Sequence, residues 1–206
     1  MSRALRRLVT SDRSLFLTFD DGPDPIGTPR VLEVLAAHGA RATFFLVAER
    51  AQRHEALVAR IRAEGHSVGN HSLDHGYRAF FQGRRAMLEW IRRSEDVFTQ
   101  LGCETVGFRP PVGIRTPELH WALDRLQLPL VLWRRRFFDS VWPWSVARAE
   151  SSLARSRPGD IVLLHDRQHL RHQERFLSTL TWYLSAAKQR GFDLRSMTRA
   201  ARGEAV

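Results

Sequence analysis

A single cysteine, Cys103, stands among 206 residues, so the chain has no partner for an intrachain disulfide and no thiolate set for a metal cluster. The ordinary reading of such a residue is a small buried apolar side chain, and the cysteine usage suits a reducing compartment. No stretch approaches the ~20 apolar residues of a membrane span, and basic residues 1–13 are followed by no continuous apolar run. The expectation is a cytoplasmic protein that neither spans a membrane nor carries an export signal. Lysine is nearly missing: Lys188 stands alone, so all but one of the 32 basic residues are arginine. Thirteen glycines and nine prolines are too few for a collagenous or low-complexity chain, and 43% hydrophobic against 26% charged residues excludes a wholly disordered one.

The formal charge of +10 attracts anions. The arginines are spread through helical segments beside glutamates, without a recognition motif, which reads as a solvated face; no nucleic-acid partner is expected. The length fits one domain over 1–206 with its core at about 15–194. Short apolar runs at 15–19, 43–47, 67–69, 105–108, 130–133, 161–164 and 192–194 read as strands. Between them, 28–38, 52–64, 84–101, 116–126, 145–156 and 173–190 read as amphipathic helices. This alternation predicts α/β architecture around a parallel sheet, with roughly seven repeats against the eight of a ~250-residue barrel.

In such a barrel, chemistry gathers where strands end. The runs here lead into Asp20-Asp21, His71 and His75, Arg109, Asp139 and His165. The two histidines are four apart, so on a helical turn both imidazoles face one way and can grip a cation, a carboxylate completing the set. Taken alone, the pair fits an ordinary surface equally well, and Asp20-Asp21 fits a turn or helix cap. A lone His165 ending an apolar strand is more often structural. Their convergence on one mouth favours function. A glycosidase needs two carboxylates about 5–9.5 Å apart across a sugar, which adjacent aspartates beside two histidines do not suit.

Thr18-Phe19-Asp20-Asp21-Gly22-Pro23, His71-Ser72-Leu73-Asp74-His75, Phe108-Arg109-Pro110-Pro111 and Leu163-Leu164-His165 resemble, in order, the motifs of the polysaccharide deacetylase family with the NodB homology domain (carbohydrate esterase family 4). The resemblance spans about 15–194 and implies a distorted (β/α)7 barrel and metal-dependent removal of N-acetyl groups, with O-acetyl or N-formyl groups as variants. It makes Asp21, His71 and His75 the ligands of one divalent metal, zinc first, with Co2+, Mn2+ or Ni2+ as alternatives. It makes Asp20 the general base that activates water, Arg109 the residue that orients Asp20, and His165 the general acid, its pKa raised by Asp139. The backbone N–H of Val112, where the family usually has tyrosine, would bind the oxyanion. Pro110, Pro111 and Leu163 would line the substrate pocket, Leu163 against the acetyl methyl.

One motif departs. The family's Asp-x-x-Asp-Trp reads Arg136-Phe137-Phe138-Asp139-Ser140 here, so Trp142 or Trp144 is needed to supply a sugar-facing wall, unless both are core or lid packing. Arg134, Arg135 and Arg136, and the missing export signal, point to an anionic substrate or one presented at an anionic membrane, such as an acetylamino sugar on a lipid diphosphate. Arg3, Arg6 and Arg7 beside Leu5, Leu8 and Val9 read as a frayed terminus or as a basic amphipathic turn for peripheral contact with that membrane. The alternative class is a non-catalytic carbohydrate- or nucleic-acid-binding protein that retains the fold.

Overall fold

Strand β1 (Ser14–Asp20) is buried along its whole length and alternates between two interiors. Leu15, Leu17 and Phe19 pack outward with the helices into the main core, whereas Phe16 joins a second, smaller core inside the barrel. A computed structural model describes residues 4–198; Arg3 lies outside them.

The chain continues through α1 (Gly27–Ala37), β2 (Thr43–Leu46), α2 (Ala48–Arg53), α3 (Glu55–Ala63), β3 (Ser67–Asn70), α4 (Arg84–Gln100), α5 (Pro117–Leu126), β4 (Arg135–Arg136), α6 (Val146–Ala154), β5 (Ile161–His165), α7 (Leu170–Gln189) and β6 (Asp193–Arg195). All strand pairings are parallel, in the order β3-β2-β1-β5-β4, with β6 also on β1. Parallel bridges from Asn70 to Phe108 and from Phe108 to Leu130 carry the sheet round. The result is the expected distorted barrel.

Three expectations change. Residues 105–108 and 130–133 form isolated bridges instead of strands, because Pro110, Pro111 and Pro129 flank them and carry no N–H for a ladder. The helix predicted over 52–64 is two helices that meet at His54, whose φ −131°, ψ 47° leaves the helical region. The break lets α2 bury Ala48 and Ala51 and α3 bury Val58 and Ile61 in different directions.

The third concerns the amino-terminal turn, whose two leucines face the protein interior. Leu5 and Leu8 are buried in the inner core, each such side chain contributing ~1.5–3 kcal/mol. Leu5 N–H donates to the Leu130 carbonyl at 2.8 Å and Leu8 N–H to that of Gly159 at 2.9 Å. Arg7 pairs with Asp160 at 2.7 Å. Residues 5–8 therefore fill the gap between 130–132 and β5 at the barrel's lower end. No helix among the described residues is long and apolar enough to cross a membrane.

Candidate active site

The strand register brings the chemistry together: Asp20 on β1 is level with Phe45 on β2 and His165 on β5. After Asp20 the chain turns sharply, with Asp21 at φ 75°, a left-handed conformation that aspartate adopts more readily than most residues. Arg50 donates to the Asp21 carbonyl, and Val47 N–H donates to that of Gly22 at 2.9 Å. Gly22 leaves room for the Asp166 carboxylate, which a Cβ at this position, 2.3 Å from it, would force to shift.

His71 and His75 do not share a helical turn, contrary to expectation. They sit in an irregular loop after β3, with Ser72 at φ 79° and His75 at φ 62°. Asn70 builds this loop: its Oδ1 accepts from Ser72 N–H at 2.7 Å, and its amide donates to Ser94 and Glu95. Ser72 Oγ accepts from His75 N–H at 3.0 Å. Asp74, inside the motif, faces away and accepts from Trp90 Nε1 at 3.0 Å.

The two imidazoles still converge. Asp21 Oδ1 is 3.4 Å from His71 Nε2 and 3.1 Å from His75 Nε2. Donors held ~2.0–2.1 Å from one zinc ion at tetrahedral angles lie about 3.4 Å apart, so the three atoms have a ligand's spacing. His71 Nδ1 lies 2.8 Å from the Arg109 carbonyl, which can only accept, so Nδ1 carries a proton and Nε2 is the atom turned toward Asp21. Burial pushes the Asp21 pKa up, but hydrogen bonds from His71 and His75 outweigh it and hold the carboxyl well below the usual range. These three residues fit a divalent metal.

Beside them, Asp20 is 3% exposed and Arg109 wholly buried. Arg109 donates from NH1 to Asp20 Oδ1 and to Thr18 Oγ1, both at 2.7 Å, and from NH2 to the Leu132 carbonyl at 3.1 Å. Its guanidinium lies 3.9 Å over the Phe45 ring. The other Asp20 oxygen, Oδ2, is left toward the site, 3.9 Å from His71 Nε2.

On the opposite side, Asp139 is buried and grips His165 twice, accepting from its backbone N–H at 2.8 Å and from Nδ1 at 3.0 Å. Gln168 donates to Asp139 at 3.0 Å. Burial alone would lower the His165 pKa; Asp139, aided by Asp20 and Asp21, overrides it and lifts the value from 6.5 to about 9. His165 is thus cationic at neutral pH.

The remaining candidates divide. Pro110, Pro111 and Leu163 are buried beside the mouth, while Val112 is exposed in a short turn with φ 50°. Trp142 is 61% exposed and open to a ligand. Trp144 is not: it packs against Phe137, Phe176 and Tyr183 in the main core. Sequence reasoning overlooked Asn70, Gln168 and Asp166, and gave Thr18, inside the first motif, no role of its own. Asp166 is buried behind the Asp21 turn, where burial raises it to about 7 despite a 2.5 Å hydrogen bond from Thr28 Oγ1. Only its place next to His165 could have flagged it.

A carboxylate-histidine centre fit for a cation, an arginine-locked carboxylate and a carboxylate-raised histidine at one barrel mouth define a hydrolase-type site. Comparison with known proteins makes this specific. The family model described as polysaccharide deacetylase matches residues 7–131, and the chain belongs to that family. It is similar to a chitooligosaccharide deacetylase of Sinorhizobium fredii, at 32% identity over 95% of both chains. A peptidoglycan-N-acetylglucosamine deacetylase of Bacillus cereus is 30% identical over 88% of this chain and 85% of that one. Among solved structures, the Bc1960 peptidoglycan N-acetylglucosamine deacetylase superposes with a TM-score of 0.81 at 28% identity, over 93% of this chain and 89% of that one.

Proposed function

We propose that the protein hydrolyses the N-acetyl group of an acetylated amino-sugar glycan with the help of one divalent metal, zinc in the first instance, held by Asp21, His71 and His75. The observation that carries this reading is the arrangement of three ligand-spaced donors between a buried, arginine-locked Asp20 and a cationic His165. A cation there would polarise the acetyl carbonyl and make water more acidic.

Asp20 takes the proton from the attacking water. Arg109 holds Oδ1 at 2.7 Å, so Oδ2 alone is presented, in one orientation. The Val112 backbone N–H donates to the oxyanion that forms on the carbonyl. His165 gives its proton to the sugar nitrogen as the C–N bond breaks, so the amine leaves neutral and acetate remains. Asp139 fixes the proton on Nδ1, turns Nε2–H toward the leaving nitrogen and stabilises the cation. Leu163 lines the space for the acetyl methyl.

The test is acetate release from tri-N-acetylchitotriose and from peptidoglycan fragments, with matching formation of primary amine, after reconstitution with zinc. Removal of metal by a chelator should abolish turnover, and zinc should restore it. Absence of acetate from every such glycan in protein reconstituted with Zn2+, Co2+, Mn2+ or Ni2+ would overturn the reading.

A further inference from the structure

A cavity of about 800 Å³ lies between β4, the loop that follows it and α6. Arg134, Arg135 and Arg136 line one side, Arg148 and Arg155 the other, and Trp142 the loop. No carboxylate lines it. Arg135 is answered by Asp160 at 3.2 Å. The other arginines meet neutral partners: Arg148 donates to the Phe137 carbonyl at 3.4 Å, Arg155 to Ser151 Oγ at 2.7 Å, and Arg136 stacks 3.8 Å over the Phe138 ring. Among the described residues, Arg134, Arg136, Arg148 and Arg155 form no ion pair. Several guanidinium groups around one concavity repel one another unless an anion enters.

The cavity is in the size range of a small-ligand site. Planar guanidinium forks match the oxygens of phosphate, and several of them suit one or two phosphate groups better than a lone carboxylate. Its position ties it to the metal-fitting centre. Phe138, on its wall, precedes Asp139, which grips His165. Arg136 is paired in register with Leu163, two residues before His165 on β5. Trp142, on the cavity wall, is 61% exposed and offers an aromatic ring of the kind on which sugars stack.

We propose that this cavity binds the phosphate or diphosphate of a phosphorylated N-acetylamino-sugar substrate whose acetamido group lies at Asp21, His71 and His75. The proposal rests on the deacetylase reading above. It gives Arg136, which stands where the family pattern has an acid, a binding role.

The test uses the full chain loaded with zinc, and compares tri-N-acetylchitotriose with the same trisaccharide carrying a 1-phosphate. Binding of inorganic pyrophosphate is measured in parallel by calorimetry. The phosphorylated sugar should show a KM lower by about tenfold or more. Pyrophosphate affinity should fall by about tenfold or more in Arg148→Gln/Arg155→Gln, both positions being exposed on α6, with circular dichroism and thermal unfolding unchanged. Equal KM values for the two sugars, or pyrophosphate affinity unchanged in the double variant, would overturn the proposal. Adsorption to phosphatidylglycerol vesicles without the KM difference would also overturn it and assign the arginines to a membrane surface. No deacetylation of either sugar, with pyrophosphate binding still lost in the double variant, would sink the deacetylase reading and leave the anion cavity standing.

Discussion

Replacing Asp139 by asparagine should convert His165 from a cation to a neutral imidazole at physiological pH. The folded-state pKa lies at about 9 against an ordinary 6.5, a rise of about 2.5 units or ~3 kcal/mol of preference for the cation. Because the folded value is the higher one, this contribution to stability is complete below pH 6.5 and is lost as pH rises through about 9. In Asp139→Asn the negative charge is gone while the burial that opposes the cation stays, so the pKa should drop by about 2.5 units, to about 6.5 or below. The asparagine Oδ1 can still accept from His165 N–H, which keeps the loop in place. The clean measurement is histidine NMR titration of metal-free protein, wild type against variant. The activity profile of the zinc-loaded enzyme supplies a second reading. There a cation at Asp21 offsets the help of Asp20 and Asp21, so the wild-type alkaline limb should fall at or below pH 9, and the variant's limb should move acidward with kcat reduced about 10²–10⁴-fold. A His165 pKa in Asp139→Asn within half a unit of wild type would refute the reasoning, since burial and Asp139 would then not be the opposing forces.

His75→Ala should lose the metal while keeping the fold, read as zinc stoichiometry by elemental analysis; unchanged stoichiometry would remove His75 from the ligand set. Asp20→Asn should retain zinc and lose about 10²–10⁴-fold in kcat, and metal loss would instead make Asp20 a ligand. Arg109→Met should cost about 3–5 kcal/mol in urea unfolding at neutral pH, because it breaks a buried ion pair and leaves Asp20 and Thr18 without their donor; a loss below 1 kcal/mol would show that Asp20 does not depend on Arg109. Gly69→Ala should destabilise by ~1–3 kcal/mol, its Cβ falling 2.4 Å from the Phe45 ring that supports Arg109, and an unchanged unfolding midpoint would contradict that contact.

The candidate residues Asp20, His71 and His165 were legible because each ends or follows an apolar run that forms a strand, and the register of a parallel sheet then brings Asp20 and His165 level. What the sequence hid was how the histidine pair is presented. Four-residue spacing suggests a helix, yet Asn70 satisfies the backbone of a loop with two left-handed residues, a solution that needs Ser94 and Glu95 from a distant helix. Trp142 and Trp144 look alike in sequence, and only the packing of Phe137, Phe176 and Tyr183 decides which one is buried. The amino-terminal leucines misled for the same reason: their partners are the backbone at Leu130 and Gly159, far along the chain.

That last closure governs the order in which the molecule can be assembled during synthesis. Residues 5–8 and the lower half of β1 find their partners on 130–132 and 159–161, so nearly four-fifths of the polypeptide must leave the ribosome before the ring can be sealed. At ~5–20 residues per second this delay is on the order of ten seconds. During it β1 can dock on β2, but its other edge stays open beside exposed leucines and phenylalanines. The nascent chain thus carries an unpaired strand edge and an unfilled barrel bottom through most of its translation, and slowing elongation before residue 160 should lengthen the window in which it can aggregate.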